Sequence, residues 1–115
     1  MYTFYWYPKC STCRKAKSVL DAQAVSYQAI DLKQTPPSAT QFEKWFKKFP
    51  VKKFFNTSGL VYRELGLKDK LTDLSEKEAA ELLASNGMLI KRPLMVKDDE
   101  IVMIGFKEEQ YKNEL

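Results

Sequence analysis

Histidine is absent from this 115-residue chain, and cysteine occurs only twice, at Cys10 and Cys13. A structural zinc site takes four ligands, normally Cys or His, so no metal is expected unless carboxylates or a second copy of the chain complete the set. No apolar run approaches the about 20 residues needed to cross a bilayer. The start, MYTFYWYPKC, carries no basic segment ahead of an aliphatic stretch, so a soluble, cytoplasmic protein with no membrane association is expected. Nothing in the chain reads as a recognition helix with a concentrated basic face, which argues against direct nucleic-acid binding. Repeats, low-complexity stretches and linkers are also lacking, and a single domain over residues 1–115 is expected.

What is present suffices for a folded core: 44% of the residues are hydrophobic, enough at this length to dispense with disulfide support. The net charge of +4 comes from 19 basic and 15 acidic residues. The cations are scattered, with Lys9, Arg14, Lys15 and Lys17 near the cysteines and Lys44, Lys47, Lys48, Lys52 and Lys53 further on. Such scatter is a solvated face with at most a weak affinity for acidic partners.

Tyr2 to Tyr7 is an aromatic and β-branched run halted by Pro8, which predicts a strand feeding a loop. From Ser11 the spacing of Ala16, Val19 and Leu20 predicts a helix. Tyr27 to Leu32 reads as a second strand whose weak alternation suits burial on both faces. Pro36-Pro37 marks a turn, and Ser38 with Gln41 forms a capping box that starts a helix through about Phe49, its apolar stripe being Phe42, Trp45, Phe46 and Phe49. Those aromatics belong to a core, and Pro50 ends the helix. Short helical pieces punctuated by Asn56, Gly59 and Gly66 follow. Ser75 with Glu78 caps a further helix that Asn86-Gly87 stops. Leu94 to Lys97 and Glu100 to Ile104, joined by Asp98-Asp99, predict an antiparallel hairpin, and a last short helix begins near Lys107. The order β-α-β, helices, β-β-α predicts an α/β, thioredoxin-like fold with a mixed sheet of about four strands and a helical insertion over about residues 38–86.

The cysteines thus sit where a strand passes into a helix. A disulfide across so short a loop removes little entropy from the unfolded chain, so a purely structural staple is a poor explanation. The competing reading, two incidental small apolar residues, ignores their placement. A thiol at a helix start faces unpaired N–H groups and the positive end of the helix dipole, both of which favour thiolate. Cys10 is therefore the expected low-pKa nucleophile, with Lys9, Arg14 and Lys15 as sources of positive potential. Cys13, one turn on, is placed to resolve a mixed disulfide at Cys10. The same N–H array, at Ser11 and Thr12, could hold a small oxyanion.

The segments YPKCSTCRKAK, YRELGL and LIKRPLMV, in this order, resemble the arsenate reductase (ArsC) and Spx family of thioredoxin-fold proteins, and the likeness spans nearly the whole chain. KKFFNTSG and GLKDKL resemble in particular the Spx/YusI-like branch of Gram-positive bacteria. The resemblance implies that Cys10 is the catalytic cysteine, that Arg92 binds an oxyanion or a glutathione carboxylate, and that Pro93 is the cis-proline beside the active cysteine. It implies no bound cofactor, a small oxyanion or thiol/disulfide substrate, and glutathione with glutaredoxin, or thioredoxin, as electron donor. This chain also departs from the reductases. Trp6 stands in place of a histidine, Cys13 in place of a serine, and Asn56 and Gly105 or Phe106 in place of two further arginines. Losing two of three guanidiniums removes charge-assisted hydrogen bonds of roughly 1.5–3 kcal/mol each, which argues against efficient arsenate turnover. The paired cysteines and lone Arg92 resemble Spx instead, a redox-sensing transcription regulator that binds the C-terminal domain of the RNA polymerase α subunit. The glycine of that contact is missing from KFPVKKFF. Two functions follow as alternatives: a cytoplasmic thiol-disulfide oxidoreductase of the arsenate reductase-like type, or a redox-switched regulator without turnover.

Overall fold

The computed structural model describes all 115 residues, which divide into two compact units, Met1–Asp31 with Arg92–Leu115, and Leu32–Lys91. In the first, β1 (Tyr2–Trp6), α1 (Ser11–Ala22), β2 (Tyr27–Asp31), β3 (Leu94–Lys97), β4 (Glu100–Ile104) and α6 (Glu108–Glu114) follow in chain order. The second holds α2 (Ala39–Trp45), α3 (Leu60–Glu64), α4 (Leu67–Lys70) and α5 (Glu76–Ser85), with short 3-10 turns between them.

The sheet has the order β2-β1-β3-β4, with β1 parallel to β2 and antiparallel to β3, and β3 antiparallel to β4. This mixed four-stranded sheet is the thioredoxin-like arrangement that the element order predicts. The hairpin bounds are those expected, and Asp98 and Asp99 turn it with φ of 50° and 69°, left-handed values matched to the twist of the flanking strands. On one face Phe4, Ala16, Leu20, Met95, Met103 and Tyr111 form the core, with α1 and α6 covering it. Burying such side chains is worth about 1.5–3 kcal/mol for each large one, which makes this cluster the chief support of the sheet.

One expectation is corrected. The strand buried on both faces is β3, where Leu94, Met95 and Val96 are all buried, rather than β2, where no residue is fully buried. β2 lies at the sheet edge with β1 as its sole neighbour, and an edge strand needs no apolar residues on both sides.

In the helical unit both capping boxes form, Ser38 with Gln41 and Ser75 with Glu78. Phe42, Trp45, Phe46 and Phe54 make an aromatic core, with rings edge-on or stacked at centroid distances from 5.3 to 6.5 Å. α2 ends at Trp45, one turn short of the expected Phe49. There the Lys47 and Lys48 amides bond three residues back, to Lys44 and Trp45. Pro50 disfavours helical backbone at the residue before it, so the last turn unwinds. At the other end of the unit, Gly87 is required by contact: a Cβ there would overlap the backbone carbonyl of Leu32.

Candidate functional site

The turn after β1 is closed by the Cys10 amide, which donates to the Tyr7 carbonyl at 2.9 Å. Cys10 then takes the N-cap of α1 with extended backbone, φ −91° and ψ 121°, and no side-chain hydrogen bond caps the helix. The N–H groups of Ser11 and Thr12, at the start of α1, thus lie next to a sulfur that is only half-buried. Cys13, three residues on, is fully buried at the start of the inward face that Ala16 and Leu20 continue. The spacing of i, i+3 and i+7 puts all three on one side of the helix.

The two thiols share a neighbourhood but their pKa values are pushed in opposite directions. Burial pushes the Cys10 thiol up. The Cys13 amide and side chain and the Arg92 guanidinium, which bonds to the sulfur and attracts its charge, outweigh that and leave it below the ordinary thiol value. For Cys13 burial prevails. Its pKa is pushed up to about 12, with the nearby Cys10 sulfur raising it further and the Tyr7 backbone N–H and Arg92 opposing. Of the pair, Cys10 is therefore the sulfur that gives up its proton more readily, and the Cys13 side chain bonds to it.

Arg92 reaches the site from two residues before β3, where the Arg92-Pro93 peptide bond is cis. The Pro93 carbonyl accepts from the Gly105 amide at 2.8 Å, fixing the loop to the end of β4. The guanidinium carbon lies 5.4 Å from the centre of the Tyr7 ring, a cation–π distance that helps hold the charge near the Cys10 sulfur.

Cys10, Cys13, Arg92 and Pro93 are thus brought to one place. Ser11 and Thr12 occupy the first two helical positions next to Cys10 with exposed side chains. Arg14 donates to the Pro8 carbonyl at 3.0 Å and braces the loop, and Arg92 is the cation that acts on Cys10. Trp6 packs against the core cluster and 5.9 Å from the Phe4 ring. Two residues escaped the sequence reading. Tyr7 supplies both the ring under Arg92 and the amide over Cys13, and its one signal was an aromatic just ahead of Pro8. Tyr111 is fully buried in the core with a hydroxyl that has no hydrogen-bond partner.

Known proteins resemble this chain in sequence and fold. The ArsC family model matches residues 5–113. The chain is similar to YusI of Bacillus subtilis, 54% identical over 112 residues, which cover 96% of this chain and 94% of that protein. It is 26% identical to the global transcriptional regulator Spx of Streptococcus mutans over 97% of its own length and 81% of that of Spx. Among solved structures, a possible arsenate reductase from Streptococcus mutans UA159 matches with a TM-score of 0.91 and 60% identity, over 93% of this chain and 92% of that one. With the sheet order, the paired thiols and a match over nearly its whole length, the chain belongs to the ArsC family.

Proposed function

We propose that this protein is a cytoplasmic thiol-disulfide oxidoreductase of the arsenate reductase-like type, with Cys10 as nucleophile and Cys13 as resolving thiol. The observation that carries the reading is the split between the two sulfurs: one half-buried and held toward thiolate by Arg92, the other buried and held as thiol beside it. A structural pair has no need of that asymmetry, whereas an exchange reaction needs one sulfur to attack and another to wait.

In the cycle the Cys10 thiolate attacks a substrate disulfide. A bond forms between Cys10 and one substrate sulfur, and the other leaves as thiolate. Cys13 then gives up its proton to solvent or to the departing thiolate and attacks the Cys10 sulfur, displacing the second substrate thiolate and leaving a Cys10-Cys13 disulfide. The substrate has gained two electrons and the pair has lost them. An external thiol donor, glutathione with glutaredoxin or thioredoxin, returns them. Arg92 orients an anionic group on the substrate, with the exposed N–H groups at Ser11 and Thr12 beside it, and Pro93 shapes the wall next to the sulfur.

Mild diamide treatment followed by mass spectrometry tests the pairing: a monomer lighter by two hydrogens is expected. Disulfide-linked dimers, or a stable sulfinic acid at Cys10, would remove Cys13 from the resolving role. A second reading, a redox-switched regulator of the Spx type, draws on the 26% identity to Spx along 97% of the chain. Capture of the RNA polymerase α C-terminal domain without any turnover of disulfide or arsenate would favour it, and turnover without capture the enzyme.

A further inference from the structure

Tyr111 stands on α6 against the inward face of α1, packed with Ala16 and Leu20 on one side and Phe4, Met95 and Met103 of the sheet on the other. Its ring meets Phe106 edge-on at 4.9 Å, and none of its surface is exposed. Every one of those neighbours is apolar, yet the hydroxyl is there without a hydrogen-bond partner. Phenylalanine would fill the same space and would spare the fold a buried hydroxyl left unpaired. The hydroxyl is therefore a cost to folding that packing does not explain.

What lies within its electrostatic reach is Cys13, the residue one turn before Ala16 on the same helical face. We propose that Tyr111 is a positioning residue of the redox pair: its unclaimed hydroxyl is a donor held for the Cys13 thiolate that must form inside the core during resolution. The proposal rests on the oxidoreductase reading. In the resting pair Cys13 keeps its proton, and the hydroxyl has nothing to bond. Once Cys10 is tied up in a mixed disulfide, its negative charge is gone and Cys13 becomes the sulfur to be ionised. A small approach of the O–H dipole then favours that charge where bulk water is absent. The phenol keeps its own proton throughout, because burial, and after it the charge of Cys13, raise it above the usual tyrosine range. The other groups that face Cys13 are the Cys10 sulfur, the Tyr7 backbone N–H and Arg92. The first loses its charge in the mixed disulfide and the remaining two are already engaged with the resting pair. No proton leaves Tyr111 and no bond to it forms. Its effect is on how readily Cys13 ionises.

Tyr111→Phe in the full chain tests this with an aromatic disulfide such as DTNB, whose two thiolate products are released in separate phases. The first phase reports attack by Cys10 and the second attack by Cys13. The first should be unchanged in rate and in pH profile. The second should slow by about threefold to tenfold, because one pKa unit of lost ionisation is tenfold in thiolate and part of it returns as greater nucleophilicity. Its pH profile should move upward, and the melting temperature of the reduced protein should stay equal or rise. A second phase identical to that of the unaltered protein, equal slowing of both phases, or a lower melting temperature would each overturn the proposal. Absence of a second phase in the unaltered protein is a different failure: it would overturn the resolving role of Cys13 itself.

Discussion

At the scale of single residues, the Cys13 contacts and Arg92 together make Cys10 the nucleophile. Partial burial alone would raise the thiol, so the lowered value requires the guanidinium and the Cys13 contacts together. A thiol whose pKa is depressed keeps reacting as pH falls, until the pH passes that depressed pKa; one that loses its cation stops at higher pH. Alkylation of Cys10 by iodoacetamide, followed in Cys13→Ser, should therefore persist at about pH 7, where an ordinary thiol near 8.5 is only a few per cent ionised. Arg92→Ala should move the inflection upward and cut the rate near neutrality by about tenfold per pKa unit. Cys13, followed in Cys10→Ser, should alkylate far more slowly. Equal rates at the two positions, or an unmoved inflection in Arg92→Ala, would contradict the division of roles. The nucleophile was legible because C-x-x-C after a strand and before a helix has few other uses. Arg92 and Pro93 became legible through the family resemblance, since alone they read as a surface residue at a strand start. Tyr111 was not legible at all. A buried tyrosine at helical spacing looks like core, and only the lack of a hydrogen-bond partner for its hydroxyl distinguishes it.

Elements were read best where a side chain commits the backbone. Both capping boxes form as Ser-x-x-Gln and Ser-x-x-Glu predict, because each satisfies two amides that nothing else would. The hairpin was read to the residue, since Asp98-Asp99 tolerates the left-handed turn its strands demand. Reading failed where pairing decided: whether β2 or β3 lies at the sheet's edge is a property of topology, not of either segment. Two positions give a prediction of opposite signs. Gly87 lacks room for a Cβ against Leu32, so Gly87→Ala should cost about 1–3 kcal/mol in denaturant unfolding, as overpacking against backbone does. Ala24, just past α1, holds φ 54° and its amide bonds back to the Asp21 carbonyl, a left-handed stop that glycine adopts freely. Relief of about 1–2 kcal/mol of left-handed strain should exceed the about 0.4–1 kcal/mol of added unfolded-chain entropy. Ala24→Gly should then stabilise, by about 0.5–1 kcal/mol. A loss in Ala24→Gly, or a neutral Gly87→Ala, would show that the local backbone relaxes more freely than these contacts allow.

For the molecule as a whole, the issue is which of two chemistries the ArsC architecture keeps here. Disulfide exchange requires an activated thiolate, access and a resolving thiol, and all three are supported by residues of the sheet unit alone. Arsenate reduction asks more: an oxyanion with several charged oxygens has to be held while sulfur attacks arsenic, and one guanidinium leaves most of that charge to solvent. The two activities should therefore separate, with ready exchange and slow arsenate turnover in a glutaredoxin- or thioredoxin-coupled assay. The family resemblance puts the other two arginines at Asn56 and at Gly105 or Phe106, and the backbone chooses between the last pair. Gly105 has φ 78° and its amide holds the Pro93 carbonyl, so a side chain there is strained and would disturb the loop that carries Arg92. Phe106 has neither constraint, although its ring against Tyr111 would be lost. Asn56→Arg with Phe106→Arg should raise arsenate kcat/KM by about tenfold for each charge-assisted contact that reaches the anion, since roughly 1.4 kcal/mol is a decade in rate. Arg92→Ala added to that variant should abolish the gain. Strong arsenate reduction by the unaltered protein would mean that a single guanidinium suffices. No gain in the double variant, with its fold intact by circular dichroism, would instead favour the regulator reading, in which Arg92 was never part of an arsenate site.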